Sequence, residues 1–339
     1  MVFAKENFVI RLRTIQTVKA IFYSLLVVLL LVGCNQGNRT KTGNNGQNKG
    51  QRVVVTNSDA FEILVGLGAS ENIVGISSMG MRLESDNYKQ WPSIGHSGNP
   101  NIEAITDLNP DVVITYYSSS APSDIFDDKL NSFDISVERI NCFYMSEYHS
   151  DVSRLGALVG KESMADTMIQ DFDRIVNMVK TSVADVDVKK SVYIEFADFT
   201  AMGADSGNHE MIELANATNI ATKLVVKYPK ISTEWLLEEN PDIIIKIIRS
   251  DSLNIEMYNN LVSRAGWNKL DAVKNGQVFL ISYELCPGPR SMIGSLYFGK
   301  WCYPERFASI DPDSIHAHWM KKYYGETISD NKYVFSLKM

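Results

Sequence analysis

The chain has 339 residues, a formal net charge of −7 at pH 7 and an acidic sequence pI of about 5.4. Apolar residues make up 45% of it and charged residues 22%, as is typical of globular proteins, and its length favours two lobes over a single core. The acidic balance argues against nucleic acid as a partner.

The first 33 residues have the pattern of an export signal. Basic side chains from Lys5 to Lys19 precede the apolar run at residues 20–32, which is shorter than the roughly 20 residues that a membrane-spanning helix needs. Residues 1–33 include four basic side chains and Glu6, so their removal would change the formal net charge from −7 to −10.

The signal ends in Leu31-Val32-Gly33-Cys34, which resembles the lipobox of bacterial lipoproteins. That resemblance implies that Cys34 is diacylated and becomes the new N-terminus. Residues 34–51 beyond it are polar and rich in Asn, Gly and Gln, and they predict a flexible tether. We therefore expect an exported protein, held by lipid at the periplasmic face of a membrane or at the cell surface.

Beyond the tether, strand patterns alternate with helix patterns. Short β-branched runs predict strands at residues 52–56, 73–77, 112–116, 191–196, 243–248 and 278–282. Unbroken Val and Ile runs suit parallel strands that helices cover on both faces. The predicted class is α/β, with an N-terminal lobe at residues 52–148 and a C-terminal lobe, ending in a helix, at residues 186–339. Each Rossmann-like lobe has a parallel central sheet.

One helix-and-strand unit occurs twice. Residues 101–114 (NIEAITDLNPDVVI) and 232–245 (STEWLLEENPDIII) each combine a short amphipathic helix, an Asn-Pro-Asp stop and a β-branched strand. Proline disfavours helical geometry in the residue before it, which ends the helix. A second similar pair, residues 67–74 and 214–221, precedes the two units in the same order. Two related lobes are the simplest account.

Residues 149–185 are predicted to join the lobes as one long helix. Apolar side chains recur there at helical spacing, at Met164, Met168, Phe172, Val176 and Val179. Glycines occur only near the start, at Gly156 and Gly160. A rigid connector of this kind implies limited domain closure rather than a wide hinge.

This arrangement resembles the periplasmic binding proteins of metal-chelate importers, the family of the cobalamin, haem and ferric siderophore receptors. The resemblance lies in residues 67–76, 101–115, 210–221, 232–245, 266–279 and 288–290. It implies the class III architecture, in which one long rigid helix joins two lobes that hold the ligand between them. It also implies an ABC permease dimer and its ATPase subunits as partners, with Glu103 and Glu234 docking on permease arginines.

Ligands of open α/β sheets bind beyond the carboxyl ends of the strands, where this chain offers aromatic and basic side chains. Such side chains suit stacking on a macrocycle and pairing with anionic groups. The predicted ligand-binding residues are Ser58, Met81, Arg82, His96, Tyr116, Tyr117, Phe199, Tyr283 and Arg290. Arg290 is the first choice for an anionic ligand group, with a structural salt bridge as its alternative. Only one of the adjacent Tyr116 and Tyr117 is expected to face the cleft.

The predicted function is capture of an iron chelate (siderophore or haem) or a cobalamin-type corrinoid for an ABC importer, without catalytic residues, resident cofactor or metal centre. A zinc or manganese receptor is an alternative, although few histidines lie near the cleft. A hydrolase is another, because residues 209–213 (HEMIE) are similar to the zinc metalloprotease motif, but Glu213 replaces its second histidine. Cys286 and Cys302 could form a disulfide.

Overall fold

The computed structural model of this protein describes residues 50–78, 90–117, 123–328 and 333–337. The first elements in chain order are β1 (Val53–Val55), α1 (Ser58–Gly66), β2 (Ile73–Ile76), β3 (Gly95–His96), β4 (Asn99–Pro100), α2 (Ile102–Asp107), β5 (Val112–Thr115), α3 (Asp124–Asn131), β6 (Ser136–Arg139), α4 (Tyr148–Val159) and α5 (Glu162–Ser182). They are followed by β7 (Ser191–Glu195), α6 (Gly207–Leu214), β8 (Thr218–Asn219), α7 (Thr233–Glu239), β9 (Ile243–Ile248), α8 (Ile255–Val262), α9 (Asp271–Lys274), β10 (Val278–Ser282), α10 (Ser291–Cys302), α11 (Pro312–Tyr324) and β11 (Val334–Phe335). None of the helices within the described ranges is both long and apolar enough to cross a bilayer.

The main strands form two sheets with the same internal order. The first sheet runs β2-β1-β5-β6 and is parallel throughout. The second runs β8-β7-β9-β10, also parallel, and β11 adds an antiparallel edge strand beside β10. This architecture confirms the predicted α/β class with two Rossmann-like lobes. In both sheets the chain reverses its direction of winding after the second strand, and ligands of such sheets bind at that point.

The two copies of the helix-and-strand unit adopt the same local structure. In each copy the asparagine of Asn-Pro-Asp has left-handed backbone geometry, with φ of 47° at Asn109 and 39° at Asn240. The aspartate then accepts a hydrogen bond from the backbone N–H at the start of the neighbouring strand. Asp111 Oδ2 accepts from Arg52 at 2.7 Å, and Asp242 Oδ2 accepts from Ser191 at 2.8 Å. The sequence repeat is therefore a structural repeat.

Strands in both sheets are buried on both faces, as their Val and Ile runs predicted. Val53 and Val55 of β1 face one apolar cluster, and Val54 faces another on the opposite side of the sheet. In β9, Ile245 and Ile244 divide in the same way. The two-residue period of a strand produces this division, and it requires helices on both sides.

One continuous apolar core connects the two sheets. Its buried members include Val112 of the first sheet, Val152 of α4, Phe172 of α5 and Ile245 of the second sheet. The two sheets accordingly belong to one compact unit. A shared close-packed core resists wide relative motion of its parts, because any such motion would open voids.

The prediction of one long helix between the lobes is confirmed by α5, but its predicted bounds, residues 149–185 without a break, are wrong. α4 ends at Gly160, whose φ of 67° is left-handed, and α5 begins at Glu162. The two helices pack closely, because a Cβ on Gly156 would lie 2.7 Å from the Cβ of Ala165. α5 alone has 21 residues, and its buried face includes Met168 and Phe172, whereas Met164 is 41% exposed.

Candidate ligand-binding cleft

A cavity of about 300 Å³ lies beyond the carboxyl ends of the strands of both sheets. Tyr116 and Tyr117 reach it from the end of β5, and Tyr283 reaches it from the end of β10. The segment after β6 contributes Asn141, Phe143 and Tyr144. Aromatic rings dominate the lining. The lining residues are Asp59, His96, Ser97, Gly98, Tyr116, Tyr117, Asn141, Phe143, Tyr144, Lys227, Tyr228 and Tyr283.

Four of the predicted ligand-binding residues line this cavity: His96, Tyr116, Tyr117 and Tyr283. The expectation that only one tyrosine of the adjacent pair would face the cleft is wrong. Because β5 ends at Thr115, the alternation of a strand no longer governs the next two side chains. Tyr117 is 63% exposed, and its backbone N–H donates to Asn141 Oδ1 at 2.8 Å.

His96 lies at the tip of the short β3-β4 hairpin, and its ring is exposed. Its Nδ1 accepts a hydrogen bond from the Gly98 N–H at 3.2 Å, which fixes the ring against its own turn. Tyr283 packs near Phe196, with 6.0 Å between the ring centroids. Because Tyr116 of the first lobe lines the same cavity as Tyr283, aromatic side chains of both lobes face the cleft.

Other predicted ligand-binding residues are not part of the lining. Ser58 begins α1 directly before the cavity residue Asp59, but it does not line the cavity. Phe199 packs into the core of the second lobe, where its ring centroid lies 6.3 Å from that of Trp267, and the Arg264 guanidinium carbon is 4.7 Å from it. Met81 and Arg82 lie outside the described residues, as does Cys34.

The structure contradicts the prediction that Arg290 contacts the ligand. Arg290 is fully buried, and its Nε lies 2.9 Å from Oε1 of the equally buried Glu62. One Nη lies 3.3 Å from Nε2 of His316, and the Tyr324 hydroxyl donates to the same Glu62 oxygen at 3.4 Å. The alternative that the sequence left open, a structural salt bridge, is the one observed. It joins α1 of the first lobe to the start of α10.

Burial sets the protonation of the groups around this ion pair. Desolvation lowers the pKa of His316 well below its usual value, and the nearby Arg290 lowers it further. Desolvation also raises the pKa of the Tyr324 hydroxyl well above its usual value, with Glu62 adding to the effect. At neutral pH the cluster therefore contains neutral His316 and Tyr324 beside the charged pair.

Sequence reasoning missed two prominent residues of the cavity, Tyr144 and Lys227. Tyr144 follows β6, a strand that did not stand out because its four residues, SVER, are mostly polar. Lys227 lies in the irregular segment VVKYP between two helical segments, away from any predicted strand. The signal in the sequence was the cluster of large apolar residues around Lys227, namely Val225, Val226 and Tyr228. In the structure these residues remain exposed.

Glu103 and Glu234 occupy equivalent positions in the two lobes. Each is exposed in the first turn of its helix, α2 or α7. Asn101 caps α2 by accepting from the Ala104 N–H, and Ser232 caps α7 by accepting from the Trp235 N–H. Hydrogen bonds from its own backbone N–H and from Ser232 lower the pKa of Glu234. Docking by these residues stays a prediction.

Cys286 and Cys302 do not form a disulfide. Both are buried, as is Cys142, and none of the three forms a disulfide. Burial raises the pKa of the Cys302 thiol to about 12, which keeps it protonated and unreactive at neutral pH.

The metalloprotease-like segment has a structural role. Glu210 accepts hydrogen bonds from the backbone N–H of Met145 at 2.6 Å and of Ser146 at 3.3 Å, and it thereby holds the start of the connection between the lobes. His209 lies 3.5 Å from Glu213 on the same helix. In the part of the chain that the structure describes, no group of three or more His, Cys, Asp or Glu side chains is arranged to hold a metal ion.

An aromatic cleft at the strand ends of two duplicated α/β lobes defines a ligand-binding protein. The sequence model of the periplasmic binding protein family matches residues 53–285, and the chain belongs to that family. It is accordingly a substrate-binding protein of the ABC transporter class.

Three relatives show the range of the family. An uncharacterised ABC transporter substrate-binding lipoprotein of Bacillus subtilis, YvrC, is 26% identical over 76% of this chain and 81% of its own length. The molybdate-binding protein MolA of Haemophilus influenzae is 24% identical over 80% of this chain and 86% of its own. A vitamin B12-binding protein of Vibrio cholerae is 21% identical over 71% of this chain and 85% of its own.

Solved structures have the same fold. A TroA-like periplasmic binding protein, FepB, from Veillonella parvula superimposes with a TM-score of 0.71 at 21% identity, covering 86% of this chain and 96% of its own. Molybdate-bound MolA superimposes with a TM-score of 0.70 at 20% identity, covering 83% of this chain and 95% of its own. At these identities the likeness shows the class III fold.

Proposed function

We propose that this protein is the receptor of an ABC importer for a metal chelate, namely a ferric siderophore, haem or a cobalamin-type corrinoid. The observation that supports the proposal is the aromatic lining of the cleft, to which both lobes contribute. Planar macrocycles and aromatic chelators present large faces, and tyrosine rings bind such faces by stacking while their hydroxyls reach polar edges. The vitamin B12-binding relative also supports the proposal.

The cleft suits cargo larger than its enclosed volume. Tyr117 is 63% exposed and Tyr228 is 45% exposed, although both line the cavity. A chelate can therefore place one face or edge in the cavity of about 300 Å³ and extend outward against these rings. A bare zinc or manganese ion would instead need several converging ligands, and the described residues supply no such group.

Delivery requires that the receptor be held near its transporter. We propose that the chain is exported, that Cys34 bears the lipid anchor, and that residues 35–51 form the tether. Glu103 and Glu234 would then dock on arginines of the permease. Two exposed charges at the starts of rigid helices mainly set the orientation and register of the receptor on the permease, and they contribute less to its affinity.

The test is a binding panel on the soluble chain that begins after Cys34. Visible absorption of the purified protein reports any chromophore that co-purifies, and fluorescence titration measures the affinity for haemin, cyanocobalamin, an anionic ferric tris-catecholate, molybdate and Zn²⁺. Tight binding of one of the first three supports the proposal. Saturable binding of molybdate or Zn²⁺ without binding of a chelate would replace it with an oxyanion or metal receptor.

A further inference from the structure

Lys227 is held at the cleft by the backbone of the second lobe. The Gly203 N–H donates to the Lys227 carbonyl at 2.8 Å, and the Ala201 N–H donates to the Pro229 carbonyl at 2.9 Å. A Cβ on Gly203 would lie 2.3 Å from the Val226 carbonyl oxygen, so this close approach requires glycine. The loop that bears Lys227 thus has a fixed backbone, while its side chain reaches into the cavity.

The Lys227 ammonium connects the two sides of the cleft. Its Nζ donates to the hydroxyl of Tyr144 at 2.7 Å, and Tyr144 follows β6 of the first lobe. Nζ also lies 5.3 Å from the ring centroid of Tyr144 and 5.4 Å from that of Tyr228. Both rings offer a cation–π environment, which stabilises an ammonium without neutralising its charge.

Within the described residues, Lys227 forms no ion pair with a carboxylate. Lys246 pairs with the buried Glu195 at 2.7 Å, whereas the Lys227 ammonium donates its hydrogen bond to a tyrosine hydroxyl. Burial alone would lower the pKa of Lys227, but the Tyr144 hydroxyl and Tyr228 outweigh it and raise the pKa above its usual value. The side chain is therefore charged at neutral pH.

The lining also contains one acid, Asp59, which is more deeply buried than Lys227. Asp59 is 1% exposed in the first turn of α1. Lys227 is only partly buried, between the exposed Val226 and Tyr228. The two charged side chains of the lining therefore differ in exposure, and the ammonium is the more exposed of the two.

We propose that Lys227 selects the ligand by charge, so that the cleft takes molecules with anionic oxygen groups and its tyrosines pack on the remainder. The inference rests on the proposed function and adds a specificity residue to it. The shared chemistry is an anionic oxygen, whether a carboxylate, a catecholate or an oxyanion. The Tyr144 hydroxyl would turn toward the same group, because it already contacts the ammonium.

The experiment measures affinities of the soluble chain for three anionic probes (haemin, a ferric tris-catecholate and molybdate), for cyanocobalamin, which has no net negative charge, and for the cationic ferrioxamine. We expect at least one anionic probe to bind, and Lys227→Met to weaken that binding about 10- to 100-fold, as expected for loss of a charged hydrogen bond. Lys227→Arg should retain most of the affinity. Added salt should weaken binding to the wild type more than to Lys227→Met.

Lys230→Met is the matched control, because Lys230 lies three residues away and donates to the Asp198 carbonyl outside the lining. Its affinity should equal that of the wild type, and both variants should melt at the wild-type temperature. An anionic probe that binds Lys227→Met as tightly as the wild type overturns the inference alone. Tighter binding of cyanocobalamin or ferrioxamine than of every anionic probe also overturns the inference alone. Failure of all five probes contradicts the proposed function, and this inference with it.

Discussion

Replacement of Arg290 by methionine tests whether the buried ion pair holds the lobes together. Arg290 and Glu62 are both 0% exposed with 2.9 Å between Nε and Oε1. Removal of the arginine leaves a buried carboxylate without its counter-charge, and such changes destabilise proteins by about 3–5 kcal/mol. For a protein of this size, each kcal/mol of lost stability lowers the melting temperature by a few degrees, so the melting temperature should fall by about 10 °C. Circular dichroism during heating measures this fall.

Two further variants separate the ion pair from simple loss of a side chain. The double variant Glu62→Met with Arg290→Met removes both charges and should recover most of the lost stability, since an apolar pair of similar volume needs no counter-charge. Arg249→Met removes an exposed arginine, 81% accessible, that pairs with Asp251 at 3.2 Å, and it should cost less than about 1 kcal/mol. If Arg290→Met melts no lower than Arg249→Met, the pair does not stabilise the junction.

Two more predictions concern permease docking and pH. The double variant Glu103→Lys with Glu234→Lys should keep its ligand affinity but no longer stimulate the transporter's ATPase. The control is Asp107→Lys with Glu238→Lys, which changes exposed acids later on the same two helices and should stimulate the ATPase normally. Equal stimulation by the two double variants would remove the docking assignment. The pKa of His316 is lower in the folded state than in the unfolded chain, so the unfolded chain binds a proton that the folded protein does not. The free energy of unfolding should therefore decline as the pH falls below about 6.5, by at most about 1.4 kcal/mol per pH unit. Urea unfolding at pH 7.0 and 5.5 measures the decline, and His316→Gln should reduce it; an equal decline in the variant would contradict the assignment.

The sequence predicted the parts of the fold that depend on local pattern. The Val and Ile runs of β1, β5, β7, β9 and β10 each became a strand, because burial on both faces favours apolar side chains there. The Asn-Pro-Asp stops also behaved as expected, although the asparagines end the helices in left-handed geometry. In contrast, Gly160 was visible in the sequence and was not recognised as a helix end, because the apolar spacing continued beyond it.

The candidate site was predicted less well, for a different physical reason. Tyr116 and Tyr283 follow strands directly, so strand position located them. Arg290 was misplaced because the sequence shows a basic residue after a strand but not its buried partner. That partner, Glu62, lies 228 positions earlier in a mostly apolar helix. Lys227 was missed because its position depends on a long-range backbone contact with Gly203, and such contacts leave no local periodicity.

The continuous apolar core has a consequence for how an importer recognises a loaded receptor. Two lobes that share packed side chains cannot rotate widely apart. The occupied and empty molecules should therefore have nearly the same radius of gyration in solution scattering. The difference that a transporter senses must then be small and close to the mouth of the cleft. Lys227 and the exposed side chains beside it lie at that mouth, where cargo would change the surface that the partner meets.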